Sequence, residues 1–239
     1  MKWLLLLIPA LLIPVGAHAQ SVSIDLGPAG QAGATARIVQ LTALVTLLSL
    51  APSLLVMATA FTRIVMVLSL LRTALGTQGA PPNTVLIGLA LFLTWFVMQP
   101  VFDQAWTAGI APMIDNKIGE LDGIKAAAEP FRGFMLHNLR GGDLSFFQVL
   151  AHARQDDTSW RVVMPAFMVG ELRRAFEMGF LLFLPFLVID MVVASVLMSL
   201  GMMMLPPNVV SLPFKLIFFA TIDGWRLVAG GLVRTFGNS

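Results

Sequence analysis

The chain has 239 residues, of which 57% are hydrophobic and only 12% are charged, and its mean hydropathy is +0.85. Soluble domains carry about 25% charged residues, so the composition indicates a membrane protein and excludes an ordinary soluble globular domain. The lack of cysteine excludes disulfides and thiol chemistry, and a formal net charge of +2 is too small and too scattered to favour nucleic-acid binding.

Residues 1–19 have the pattern of a secretory signal peptide. Lys2 precedes the apolar run 3–13, and Ala17-His18-Ala19 forms a small-x-small cleavage site. An uncleaved membrane helix is the alternative, but the apolar run is roughly half of the ~20 residues that span a bilayer. Residues 20–37 are polar and glycine-rich, and they are expected to form a flexible lead-in.

Residues 38–102 are predicted to form a first helical hairpin. Its first apolar stretch covers residues 38–71 and is interrupted by Pro52 and Arg63, and its second stretch covers residues 83–102. Proline inside a helix removes a backbone hydrogen bond and bends the helix, so the first stretch is expected to be kinked or broken.

Residues 103–161 form the part of the chain that resembles a soluble protein, and two or three short amphipathic helices are expected there. A cleaved signal peptide would place this region outside the cytoplasm and the loop 72–82 inside. The loop carries Arg72 as its only basic residue, whereas the positive-inside rule prefers basic residues on the cytoplasmic side. The sequence therefore does not predict a conventional bundle in the bilayer.

Residues 162–239 are predicted to form a second helical hairpin. Its apolar stretches cover residues 162–200, with Pro185 predicted to kink or break the helix, and residues 209–233. Between them lies a Met-rich turn, residues 201–207, that begins with glycine and ends with two prolines.

The start of the second hairpin carries four charged residues with helical spacing. Arg174 follows Glu171 at i,i+3 and Glu177 follows Arg173 at i,i+4, so both pairs can form along one helix. Local neutralisation where the helix enters the membrane is one interpretation. A contact between subunits is the other, because one helix face cannot satisfy all four groups.

Asp190 lies in an apolar segment, where a bilayer penalises an unpaired charge. In an antiparallel hairpin that turns near residue 204, position 190 lies within about one helical turn of Lys215. An Asp190–Lys215 pair is therefore one hypothesis, and a contact of Lys215 with Glu171 of a neighbouring subunit is its rival.

Met202, Met203 and Met204 are consecutive in the turn. Methionine commonly fills irregular gaps in apolar cores, but three adjacent side chains cannot all face one core. Flexible side chains of this kind suit a seal that deforms around variable cargo and closes again.

The sequence contains no catalytic or metal-binding pattern. His137 and His152 have no cluster of ligand residues beside them, and no phosphate-binding loop, GxSxG or HExxH motif is present. Neither an enzyme activity nor a cofactor is expected.

Two long motifs carry a resemblance to a known family. Residues 61–102 read FTRIVMVLSLLRTALGTQGAPPNTVLIGLALFLTWFVMQPVF, and residues 165–225 read PAFMVGELRRAFEMGFLLFLPFLVIDMVVASVLMSLGMMMLPPNVVSLPFKLIFFATIDGW. Both resemble the FliP family of flagellar protein export gate subunits, called SctR in injectisomes. Gly170 departs from the family, which commonly has serine before Glu-Leu.

The resemblance implies an all-α fold of kinked helical hairpins in an oligomeric export-gate assembly. Five such chains and one FliR subunit would form a ring with FliQ outside, placed in the inner membrane and flagellar basal body and projecting to the periplasmic side. The assembly would cooperate with other export components and conduct unfolded flagellar subunits. Met202, Met203 and Met204 fall on the family's gasket, and the resemblance makes Glu171, Asp190 and Lys215 candidate interface contacts.

Three alternatives stay open. The chain could serve a virulence-type injectisome, although the signal peptide and lead-in favour the flagellar branch. A secondary transporter for a small solute would need broken helices around a midplane site, and Pro185 with Asp190 gives a weak version of that pattern. A pure scaffold would tolerate loss of the three methionines.

Overall fold

The structure of the chain is a computed structural model that describes residues 56–77, 79–202 and 204–237, with isolated helical residues between 39 and 53. The chain divides into two compact units, residues 1–49 and 50–239, and the continuous described segments all lie in the second. The predicted signal peptide 1–19, the lead-in 20–37 and most of the first apolar stretch up to residue 55 lie outside the described residues.

The described residues form helices joined by turns, without a strand, which confirms the all-α prediction. The helices are α1 Phe61–Leu75, α2 Asn83–Ala105, a π-helical turn Trp106–Ile110, α3 Ala111–Ile114, α4 Glu120–His137, α5 Gly141–Leu150, α6 Trp160–Ser199, α7 Pro207–Thr221 and α8 Gly224–Gly237.

The helix that begins at Asn83 does not end at residue 102 as predicted. It continues as α2, the π-helical turn and α3 to Ile114. Asp103 and Gln104 are polar but do not stop a helix, and Pro112 lies in the first turn of α3, where proline is tolerated. The more polar composition that begins at residue 103 therefore does not mark the end of a helix.

Helix α6 extends over 40 residues and passes through Pro165 and Pro185 without interruption. Of the two outcomes predicted at Pro185, a kink or a break, the described structure excludes the break. Proline removes one hydrogen bond from a helix, and here the flanking turns keep their helical geometry.

The last apolar stretch, in contrast, is two helices. Helices α7 and α8 meet at an angle of 63°. Asp223 between them has φ of 53°, a left-handed conformation that ends α7. A Cβ on Gly224 would lie 2.1 Å from the ring of Phe219, so only glycine permits this bend.

Helix α1 lies at the centre of the core. Its residues Ile64, Val67, Leu68 and Leu71 are buried, and the helix packs against α2, α6 and α7. The backbone of α6 comes close to α1 at Gly179, where a Cβ would lie 2.3 Å from Leu70 Cδ1. The described parts of the two hairpins therefore share one core.

Among the residues that the structure describes, two helical segments are long and apolar enough to cross a membrane, 83–114 and α6, and the bent pair α7–α8 would provide a third. Much of their surface is apolar and exposed in the single chain; Phe92, for example, is 78% exposed. Exposed apolar surface of this extent requires lipid or other protein chains to cover it.

Candidate gating turn and polar contacts

The Met-rich turn has a defined backbone at both ends. Helix α6 ends in a Schellman motif, in which the N–H of Gly201 donates to Met198 O and the N–H of Met202 donates to Leu197 O. Gly201 has φ of 72°, as this motif requires. Helix α7 then begins with Pro207 in its first turn, where proline is favoured.

The two described methionine side chains of this turn are exposed. Met204 is 99% exposed and Met202 is 43% exposed, while Met203 lies outside the described residues. Burying one methionine side chain is worth about 1.5–3 kcal/mol, so an assembly that covered these side chains would be stabilised. The single chain does not use the two described methionines in its core.

Lys215 links three elements beside the turn. Its Nζ lies 2.6 Å from Asp190 Oδ2 on α6 and donates to Ala74 O at the end of α1 over 3.2 Å. Ser211 donates to the other carboxylate oxygen, Oδ1. A cation that binds a carbonyl at a helix C-terminus also complements the helix dipole.

The most buried ion pair among the described residues is between Arg63 on α1 and Glu171 on α6. Both side chains are 1% exposed, and the guanidinium binds the carboxylate through two hydrogen bonds, of which Arg63 Nε to Glu171 Oε2 measures 2.7 Å. Arg63 also donates to Thr235 Oγ1 and lies 3.8 Å from the centre of the Phe236 ring. The bidentate pair joins α1 to α6, and the contacts of Arg63 with Thr235 and Phe236 add α8.

The remaining charges at the start of the second hairpin bind the α4–α5 region. Arg173 lies 2.7 Å from Asp143 Oδ1, and Glu177 accepts two hydrogen bonds from Arg140. The predicted i,i+4 pair of Arg173 with Glu177 is thus replaced by these partners in the described structure. The i,i+3 pair is present but long, with Arg174 Nη1 3.8 Å from Glu171 Oε1.

Sequence reasoning missed Arg63, Arg140 and Asp143 as partners. A lone arginine within an apolar stretch was the available signal for Arg63, but its partner lies 108 positions away. Asp143 is 5% exposed, and its Oδ2 has no hydrogen-bond partner. A Cβ at position 170 would lie 3.3 Å from that oxygen. Because glycine has no side chain, position 170 supplies no donor to it.

Within the part of the chain that the structure describes, no group of His, Asp and Glu side chains could hold a metal ion. The clustered charges there are engaged in ion pairs rather than arranged around a pocket with a nucleophile. These ion pairs connect α6 to α1, to α7 and to the α4–α5 region.

The fold and the site together define an all-helical membrane protein, in which charges are paired inside the chain and a turn with exposed methionines is held between two helix ends. Comparison with known families agrees with this class. The model of the FliP family matches residues 44–232, so the chain belongs to the FliP family.

Relatives from several bacteria carry the name flagellar biosynthetic protein FliP. The Caulobacter vibrioides protein is 57% identical, with 94% of this chain and 86% of the relative covered. The Agrobacterium fabrum protein is 45% identical, with 98% and 99% covered. The Bacillus subtilis protein is 48% identical, with 83% and 91% covered.

Proposed function

We propose that this chain is a core subunit of the flagellar protein export gate and that flagellum assembly requires it. The observation that carries the proposal is the 57% identity to a flagellar biosynthetic protein across 94% of the chain. The family is not known for enzymatic activity, and we propose that the chain performs no bond chemistry. Its apolar helices fit a place in the membrane.

Gating in this proposal is passive. The 201–207 turns of several copies converge, exclude water and ions when closed, and separate for an extended polypeptide. The exposure of Met202 and Met204 supports this mechanism because neither side chain is needed in the core. The Schellman motif supports it too, since a fixed helix end would place each methionine reproducibly.

The assembly that we propose contains five copies of this chain in a ring with one FliR subunit, and FliQ subunits outside. It lies in the inner membrane within the basal body and projects to the periplasmic side. The exposed apolar faces of α2 and α6 support burial against lipid or partner chains; they include Phe92, Trp95, Phe96, Phe180 and Leu181.

Within this assembly, the buried pairs hold each subunit together and the half-exposed charges contribute to contacts between subunits. Arg173 is 51% exposed and Glu177 is 48% exposed, so both could reach a neighbour. The rival contact, Lys215 with Glu171 of a neighbour, would require Glu171 to leave Arg63. We therefore favour the Asp190–Lys215 pair within the chain.

Complementation tests the proposed function. The gene for this chain would replace that of the 57%-identical relative in Caulobacter vibrioides, and secreted flagellar subunits and swimming would be measured. Restored secretion and swimming are expected, with the empty replacement as the control. If the gene restores secretion in a strain whose injectisome lacks the equivalent subunit, but does not restore the flagellum, the chain belongs to the virulence branch. Solute uptake by the isolated chain would favour a transporter.

A further inference from the structure

A basic cavity lies where α1, α6, α8 and the α4–α5 connection meet. It has a volume of about 470 Å³ and is lined by Arg63, Arg140, Arg174, Arg234 and Glu177, together with Met178 and Thr235. We propose that this cavity binds the phosphate headgroup of an anionic phospholipid, whose acyl chains lie along the adjacent apolar face of α6.

The cavity carries an excess of positive charge. Four guanidinium groups line the cavity, where Glu177 binds Arg140 and Glu171 binds Arg63. The third nearby carboxylate, Asp143, is matched by Arg173 outside the lining. Four positive charges against two negative ones leave two in excess. Basic pockets between membrane helices bind anionic headgroups in this way.

Two of the four arginines have hydrogen-bond donors that no described carboxylate of the chain occupies. The side chain of Arg234 makes no ion pair or hydrogen bond with any described residue, and Arg174 approaches Glu171 only to 3.8 Å. Both oxygens of Glu171 already accept hydrogen bonds from Arg63. Arg174 and Arg234 therefore keep their donors for a ligand, and planar guanidinium groups suit phosphate oxygens.

The cavity lies where the charged part of α6 ends and its apolar part begins. After Glu177 the helix carries Asp190 as its only charged side chain up to Ser199. Residues 178–199 span roughly 33 Å at 1.5 Å per residue, close to the ~30 Å of a hydrocarbon core. The cavity thus lies at the boundary between the charged and apolar parts of the helix, where headgroups would be.

The apolar face next to the cavity favours a lipid over a free anion. Arg174 and Met178 line the cavity, and helical spacing places Leu181, Leu184 and Val188 on the same face of α6. These three side chains are 64%, 40% and 56% exposed. A ligand with a charged head and apolar chains matches both parts of this surface.

Lipid titration of the purified full-length chain in a neutral detergent tests the proposal. Binding of phosphatidylglycerol, phosphatidylcholine and inorganic phosphate would be measured by native mass spectrometry. We expect phosphatidylglycerol to bind more tightly than phosphatidylcholine, and inorganic phosphate not to displace it. Equal binding of the two lipids, or saturation by phosphate alone, would overturn the proposal.

Arginine variants locate the site. Arg234→Gln should weaken phosphatidylglycerol binding roughly 5-fold, and the double variant with Arg174→Gln roughly 25-fold. Arg226→Gln is the matched control, because Arg226 lies on the same helix and does not line the cavity; it should change binding less than about 2-fold. Unchanged lipid binding in Arg234→Gln would contradict the proposal.

Arg234→Gln removes no ion pair or hydrogen bond with a described residue, so it tests the proposal even if the double variant fails to fold. The assembled complex separates a lipid from a protein ligand. If Arg234→Gln lowers the association of subunits while retained phosphatidylglycerol is unchanged, a carboxylate of a neighbouring chain occupies the cavity and the lipid proposal is wrong.

Discussion

The two ends of α6 differ in how their side chains are satisfied. Near the start of the helix, Glu171, Arg173, Arg174 and Glu177 all have an ionic partner within the chain. At the other end, Met204 is almost fully exposed although the backbone of the turn is well defined. The charges of the polar end are therefore satisfied mainly within one chain, and the Met-rich end is available for assembly.

This comparison predicts opposite effects of mutation at the two ends. Changes at the buried pairs should lower the free energy of unfolding of the single chain. Changes in the turn should leave that free energy nearly unchanged and alter only the assembled gate.

The largest effect is expected at the Arg63–Glu171 pair. Glu171→Ala leaves the Arg63 guanidinium buried without its counter-ion, which costs about 3–5 kcal/mol of unfolding free energy. The double variant Arg63→Met, Glu171→Met should recover most of that loss, because it removes both charges. Denaturant unfolding in detergent measures both, and a harmless Glu171→Ala would contradict the intrachain pairing.

A smaller effect is expected at Lys215. Lys215→Met leaves Asp190 Oδ2 and Ala74 O without their donor, and hydrogen bonds to charged groups contribute about 1.5–3 kcal/mol. Because Asp190 is 33% exposed, we expect the lower end of that range. Lys215→Arg is the control that keeps the charge and should lose less.

Charge exchange separates the two possible partners of Lys215. The exchange Asp190→Lys, Lys215→Asp should restore part of the lost stability of the single chain, and Glu171→Lys, Lys215→Glu should restore none. Recovery should be partial because an acid at position 215 faces the Ala74 carbonyl. The reverse ranking of the two exchanges, measured as the stability of assembled complexes, would favour the contact between subunits.

A still smaller and stabilising effect is expected at Gly170. Gly170→Ser places a hydroxyl beside Asp143 Oδ2, which has no partner. Gly170→Ala is the matched control, because it adds the same Cβ and gains helix propensity without a donor. Serine should exceed alanine by about 1 kcal/mol in unfolding free energy, and equal stability would show that the hydroxyl does not reach the carboxylate.

Much of the second hairpin follows from local sequence rules. Gly201 and the pair Pro206-Pro207 mark the end of one helix and the start of the next, and the structure places the helix ends there. The antiparallel register that these ends impose also brings Asp190 near Lys215. Local rules work here because the turn is short and its backbone chemistry is specific.

Other features depend on packing between distant segments. The Arg63–Glu171 pair joins residues 108 positions apart, and no spacing rule reaches that far. The bend between α7 and α8 depends on the left-handed conformation of Asp223 and on the contact of Gly224 with Phe219. An apolar stretch alone does not reveal either contact, so the sequence predicted one segment where there are two helices.

Replacement of the methionines by alanine tests the central claim most directly. Because Met202 and Met204 are exposed, the variant Met202→Ala, Met203→Ala, Met204→Ala should keep the unfolding free energy of the single chain within about 0.5 kcal/mol. Assembled complexes of this variant, reconstituted in vesicles, should leak small ions that the unmodified complexes retain. Membranes that stay equally tight with the assembled variant would contradict a sealing role for the turn.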